Sequence, residues 1–105
     1  MNIEGKVALI TGGAHRVGKA ITMELAQRGA DVIVNYNQSE AMAHTTVHEA
    51  ETLGVRAIAQ KANVSNQIEV STMISESEEL LGPIQILINS ASLFTKTELP
   101  TNSTE

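Results

Sequence analysis

The chain contains no cysteine and no tryptophan, and Tyr36 and Phe94 are its only tyrosine and phenylalanine. Without thiols it forms neither disulfides nor thiolate metal sites. His44 and His48 stand four apart, but no cysteine joins them and no His-Glu-x-x-His pattern occurs, so no metal site is expected. Basic charge is also scarce: seven Lys and Arg face twelve Asp and Glu, a formal net charge of -5. Nucleic acid requires a basic surface that neutralises phosphates, so no partner of that class is expected. No apolar run approaches the roughly 20 residues needed to span a bilayer. The opening residues, Met1 to Lys6, lack the basic, apolar and small-residue regions of a secretory signal. A cytoplasmic protein without a membrane partner is the resulting expectation.

What is present is an aliphatic, alanine-rich chain of 105 residues, 42% hydrophobic, enough for one small domain. Its apolar residues alternate between two periods. Val7-Ala8-Leu9-Ile10 is a short continuous run ended by Thr11-Gly12-Gly13, the pattern of a buried parallel strand. A helix follows, with Val17, Ile21, Leu25 and Ala26 on one face, Arg28 in its last turn and Gly29 as its stop. Val32-Ile33-Val34 makes a second strand, leading into the polar segment Asn35 to Ser39. Ser39 caps a second helix that runs through Leu53 to Gly54, with Ala43, Val47, Ala50 and Leu53 facing inward.

Val55 to Ala59 reads as a third strand. A third helix starts near Asn66, carries Ile68, Val70, Met73, Ile74 and Leu80-Leu81, and is broken by Gly82-Pro83. Ile84 to Ile88 forms a fourth strand ending at Asn89. Strands alternating with helices imply right-handed crossovers and a mostly parallel sheet. The expected fold class is α/β, a Rossmann-like doubly wound parallel sheet that stops after its fourth strand.

The segment Thr11-Gly12-Gly13-Ala14-His15-Arg16-Val17-Gly18 lies between the first strand and its helix. In that context Gly12 makes a tight turn and Gly18 allows close helix–strand packing. The exposed amides and the positive helix end then suit a dinucleotide pyrophosphate. The segment is neither G-x-G-x-x-G nor a Walker A loop, since no Gly-Lys-Ser/Thr ending follows.

It resembles the Thr-Gly-x-x-x-x-x-Gly signature of the short-chain dehydrogenase/reductase family, with Arg16 at a middle position where that family commonly has glycine. An arginine there is similar to the pteridine reductase branch. If the backbone needed a positive φ at this point, the side chain would be costly, so a differently built turn is expected. Asn89-Ser90-Ala91-Ser92 resembles the family's Asn-Asn-Ala-Gly segment, and Ser92 with Phe94 matches the pteridine reductase version. Asn63-Val64 falls where relatives carry an acidic residue beside adenine; asparagine keeps an acceptor and a donor but drops the charge.

The resemblance implies an NADP(H)-dependent reductase acting on a small-molecule substrate, with residues 1–105 as a partial nucleotide-binding domain. Sheets that bind NAD often place an acid after the second strand to hold the ribose diol. Here the first acid is Glu40, while Arg16, Asn37, Gln38 and Ser39 offer donors to a 2′-phosphate. The expected cofactor site comprises Gly12, His15, Arg16, Val17, Gly18, Asn37, Gln38, Ser39, Asn63, Val64, Asn89 and Ala91. His15 reads equally as a phosphate contact or an exposed loop residue. Ser92 and Phe94 fall on the substrate side, where the resemblance implies that a phenylalanine sandwiches a flat pterin; core packing is the other reading of Phe94.

In that family a tyrosine supplies the proton and a nearby lysine lowers its pKa. Tyr36 has no lysine four residues later, and residues 95–105 contain no tyrosine. No catalytic residue is assigned, and the chain is expected to be the front part of a longer, oligomeric reductase, inactive alone. A pteridine or dihydrofolate-like substrate leads the expectations. A 3-oxoacyl or sugar-carbonyl reductase, and a non-catalytic dinucleotide-binding module, are the alternatives.

Overall fold

The computed structural model describes residues 2–14 and 16–90. The elements follow in strict alternation: β1 (Val7–Thr11), α1 (Arg16–Gln27), β2 (Asp31–Tyr36), α2 (Glu40–Glu51), β3 (Ala57–Lys61), α3 (Gln67–Leu81) and β4 (Ile86–Asn89). The strands form one parallel sheet in the order β3-β2-β1-β4. The chain steps outward from β1 to β3, then returns to place β4 on the other side of β1. In sheets with such a reversal the ligand crevice lies at the carboxyl ends of the two flanking strands, here β1 and β4.

The pleat sends alternate side chains to opposite faces. Ala8, Ile10, Val32 and Val34 pack with Ala26 of α1 and with Ala43 and Ala50 of α2. Val7, Leu9 and Ile33 pack on the other face with Met73 and Leu81 of α3. With both faces covered, β1 is buried at every position, which explains its unbroken apolar run. Alanine at the helix contacts lets α1 and α2 lie close to the sheet.

The element types agree with the sequence reading, while boundaries and faces shift. β3 starts at Ala57 and not Val55, because Asp31 Oδ1 accepts the Arg56 N–H (2.8 Å) and holds it in the connection before the strand. β4 likewise begins at Ile86 and not Ile84. α1 ends at Gln27, leaving Arg28 just beyond it, paired with Glu24 at 2.7 Å. α2 stops at Glu51, so Leu53 lies outside it and is 43% exposed.

The buried helix faces also differ from the aliphatic stripes. α1 buries Gly18, Thr22 and Ala26, and Val17 is 45% exposed. α2 buries Thr46 between Ala43 and Ala50. α3 buries Met73, Ser77 and Leu81, leaving Ile68 and Leu80 at 78% and 60% exposure. Threonine enters these contacts because its hydroxyl bonds a carbonyl four residues back: Thr22 to Gly18 (2.8 Å) and Thr46 to Met42 (2.9 Å).

Candidate nucleotide-binding site

The site is built around the turn from β1 into α1. Gly12 takes φ 65°, a left-handed conformation that glycine adopts without penalty. Arg16 also takes a positive φ, 58°. The turn is therefore not built differently to suit a side chain, contrary to the expectation from sequence. Arginine occupies the strained conformation itself, at a cost of about 1–2 kcal/mol, at the end of a turn braced by bonds to residues 11–14.

Those bonds arrive from four directions. Asn35, at the end of β2, accepts the Gly12 N–H on its side-chain oxygen (3.1 Å) and the Gly13 N–H on its backbone carbonyl (3.1 Å). Thr46 of α2 donates to the Ala14 carbonyl at 2.9 Å. Thr22 of α1 sits against Gly13, where an added Cβ would meet its hydroxyl at 3.0 Å. Beyond β4, the fully buried Ser90 hydroxyl donates to the Thr11 carbonyl, and the Thr11 hydroxyl donates to Asn89 Oδ1 at 2.8 Å.

Gly18 lies under this turn. A Cβ there would fall 1.9 Å from the Gly12 carbonyl oxygen and 2.8 Å from Ser90 Oγ. Its role is the close helix–strand approach expected from the sequence. Serine at position 90 belongs to the same contact, since its short side chain fits between Gly18 and the Thr11 carbonyl.

With the Gly12 and Gly13 amides engaged by Asn35, the donors left to a ligand lie further along. The first turn of an α-helix leaves its N–H groups without intrahelical partners, so those of Arg16, Val17 and Gly18 open α1, the first two on exposed residues and the third on a residue buried under the turn. No acidic side chain occupies that first turn. Arg16 and Val17 are exposed and make no side-chain hydrogen bond or ion pair among the described residues. The helix dipole and these amides favour an anion at this edge.

Asn37 and Gln38 are exposed just beyond β2, and Ser39 precedes α2 without a side-chain capping bond. Glu40 leans toward His44 (3.6 Å), whose ring contacts Tyr36 at 6.5 Å between centroids. A shallow cavity of about 170 Å³ lies between the turn and α2, lined by Ala14, Lys19, Ala41, Met42 and Thr45. Lys19 is engaged there by Glu49 at 3.1 Å. Asn63 and Val64 are exposed after β3, on the same carboxyl edge. Asn63 Oδ1 accepts from the Ser65 N–H (3.0 Å) and hydroxyl (2.7 Å), leaving the side-chain NH2 as its open group. His15, Ala91, Ser92 and Phe94 lie outside the described residues.

Sequence reasoning missed Asn35, Thr46 and Thr22, all of which act on the turn from distant or adjacent elements. Only Asn35 left a trace, as an amide ending the apolar run Val32-Ile33-Val34. Among the described residues, no three His, Asp or Glu side chains come together to hold a metal. No helix among them is long and apolar enough to cross a membrane.

The profile of the short chain dehydrogenase family matches residues 6–105. The chain belongs to the short-chain dehydrogenase/reductase family. It is 44% identical over 93 residues to a short-chain dehydrogenase/reductase homolog, YusS, of Bacillus subtilis, covering 89% of this chain and 85% of that one. It is 38% identical over 98 residues to a 2-dehydro-3-deoxy-D-gluconate 5-dehydrogenase of Formosa agariphila, covering 93% of this chain but 37% of that enzyme. A short chain dehydrogenase of Burkholderia cenocepacia, solved in complex with NADP, superposes with a TM-score of 0.78 at 38% identity, over 83% of this chain and 36% of that one. The chain thus spans most of one short relative and little more than a third of the two longer ones. The likeness fits the parallel sheet and puts this chain in an oxidoreductase family.

Proposed function

We propose that this chain supplies the dinucleotide-binding half of an NADPH-dependent oxidoreductase that passes hydride to a pteridine or dihydrofolate-like substrate. The observation that carries the reading is the state of the glycine turn. Its first two amides are committed to Asn35, while the amides opening α1 sit at the crevice with no acid beside them. A pyrophosphate fits that arrangement: Gly12 shapes the turn beneath it, and Arg16, Val17 and Gly18 would hold it. His15, within the same turn, is assigned to the phosphate side.

Preference for NADP(H) rests on charge. The end of β2 carries Asn37, Gln38 and Ser39 and no carboxylate before Glu40, so nothing there repels a 2′-phosphate, and Arg16 offers it a cation. The Burkholderia relative was solved with NADP, in agreement with that choice. Asn63 and Val64 flank the adenine, with the Asn63 NH2 as donor. Asn89 and Ala91 support the nicotinamide ribose, and Ser92 with Phe94 face the substrate. When bound, the nicotinamide supplies the hydride; the residues of this chain bind and orient, and none of them is assigned the proton transfer. Phe94 as a flat apolar partner favours a pterin. The Formosa relative, named for a sugar-acid reaction, supports a carbonyl substrate as the second reading. The working enzyme is proposed to be a homo-oligomer.

Fluorescence titration of the intact protein with NADPH and NADH tests the cofactor. Tighter binding of NADPH by about tenfold or more is expected, the worth of one charge-assisted contact. Equal affinities would remove the 2′-phosphate assignment. Turnover assays with biopterin, dihydrofolate, 3-oxoacyl thioesters and sugar-derived ketones then separate the substrate readings. NADPH binding without turnover of any of them would mark a binding module.

A further inference from the structure

Asn35 is 2% exposed and uses both ends of its amide. Its Oδ1 accepts the Gly12 N–H at 3.1 Å. Its Nδ2 donates to the carbonyls of Ala62 (3.2 Å) and Gln60 (3.3 Å), both at the end of β3, with a longer contact to Tyr36 O (3.4 Å). A backbone N–H only donates, so the Gly12 bond settles which end of the amide is oxygen. The backbone of the same residue takes the Gly13 N–H. One buried side chain therefore ties the phosphate-side turn to the strand end that leads into Asn63.

We propose that Asn35 is a positioning residue for the cofactor: it occupies the Gly12 amide and sets the turn at a fixed distance from the end of β3, so that the pyrophosphate-side and adenine-side groups match one dinucleotide. This rests on the proposed reading of the site. The chemistry demands an amide. An ionised carboxylate accepts only, and would set its second oxygen against the Ala62 and Gln60 carbonyls; a protonated one regains a donor. An aliphatic residue leaves the Gly12 N–H and two carbonyls unpaired. The residues that the Asn35 side chain bonds are Gly12, Tyr36, Gln60 and Ala62. None carries a charge at neutral pH, and Tyr36 takes part through its backbone, so the titration of Asp in N35D is set by its own burial and these carbonyls. The one charged neighbour in register, Lys61 opposite Tyr36, is exposed.

The test compares wild type, Asn35→Asp and Asn35→Leu in the intact protein by NADPH titration from pH 5 to 8, at temperatures where circular dichroism shows all three folded. Both variants are expected to bind about ten- to hundredfold more weakly than wild type at pH 8, the loss that follows from buried groups left unpaired. At pH 5 the Asp variant recovers most of that ratio as its carboxyl protonates, and the Leu variant does not. A purely structural role would lower the unfolding midpoint of both without a pH-dependent recovery of affinity in one. If wild type binds and the folded variants match it, or if no recovery separates Asp from Leu, the role of Asn35 is overturned while the site reading stands. If wild type itself fails to bind NADPH, the site reading falls and takes this role with it.

Discussion

At the amino edge of the sheet, Asp31 holds Arg56 through three bonds, to its backbone N–H (2.8 Å), Nε (3.0 Å) and Nη2 (2.8 Å), and Nη2 also donates to the Leu81 carbonyl that ends α3 (3.1 Å). Nearby, the Gly5 N–H meets the Gly29 carbonyl (2.9 Å), and Glu78 accepts the Ile84 N–H (2.8 Å). At the carboxyl edge Lys19 pairs with Glu49 (3.1 Å) and Glu69 of α3 accepts the Asn63 N–H (2.8 Å), but among the described residues no charged side chain bonds the glycine turn itself. Neutral amides and hydroxyls, from Asn35, Thr46, Thr11 and Ser90, bind main-chain groups or one another. The difference follows from what each edge must leave open. Charges close the amino edge, where helix ends and strand starts satisfy each other. At the other edge a fixed carboxylate would repel an anion, so the turn is held by groups that add no charge, and the helix-opening amides stay accessible.

Substitutions at each end break this contrast in different ways. Gly18→Ala should do most damage, because its Cβ would fall 1.9 Å from a backbone oxygen that cannot swing aside. A loss of more than about 3 kcal/mol is expected in urea unfolding, together with loss of NADPH binding. Asp31→Ala acts on the closed edge. It strips three bonds, but Arg56 is 59% exposed at its side chain and solvent screens the pair. The cost should be about 1–2 kcal/mol of stability, with NADPH affinity unchanged. A parallel drop in affinity would show that the two edges are not independent.

Arg16→Gly separates strain from binding. Relief of the φ of 58° is worth about 1–2 kcal/mol, offset by the extra freedom of glycine in the unfolded chain, for a net gain of about 0.5 kcal/mol. NADPH affinity should fall about tenfold while NADH affinity changes less, as one charged contact is removed. A gain in both stability and affinity would deny Arg16 any contact with phosphate. Ser77→Ala is the mildest. The Ser77 hydroxyl is buried with no hydrogen-bond partner among the described residues, on the face of α3 turned to the sheet. Its removal should stabilise by about 0.5–1 kcal/mol without touching binding, measured by the shift of the unfolding midpoint.

The fold was legible where local chemistry decides it. The run Val7 to Ile10 reads as a strand buried on both faces, Asn66 caps α3 by accepting from Ile68 N (3.0 Å) and Glu69 N (3.1 Å), and Gly29 and Gly82 end helices at positive φ. The glycine turn was legible for the same reason, since Gly12 and Gly18 serve needs within a few residues of themselves. The faces of the helices were not. Val17, Ile68 and Leu80 are apolar yet exposed, because contact with the sheet goes to residues small enough for a close approach or able to bond a carbonyl. Asn35 was out of reach as a turn-holding residue: its partners lie 23 residues before it and 25 and 27 after it, and no local pattern announces them. The conformation of Arg16 was not legible from its own residue type, because the turn before it is braced by bonds from β2, α2 and the end of β4.

Amide chemical shifts followed during NADPH titration of the isotopically labelled intact protein report directly on the division between the two edges. The account predicts shifts at Arg16, Val17 and Gly18, only slight ones at the Gly12 and Gly13 amides already bonded to Asn35, and none around Asp31 and Arg56. Shifts concentrated at the amino edge, or an unchanged spectrum at saturating NADPH, would contradict it.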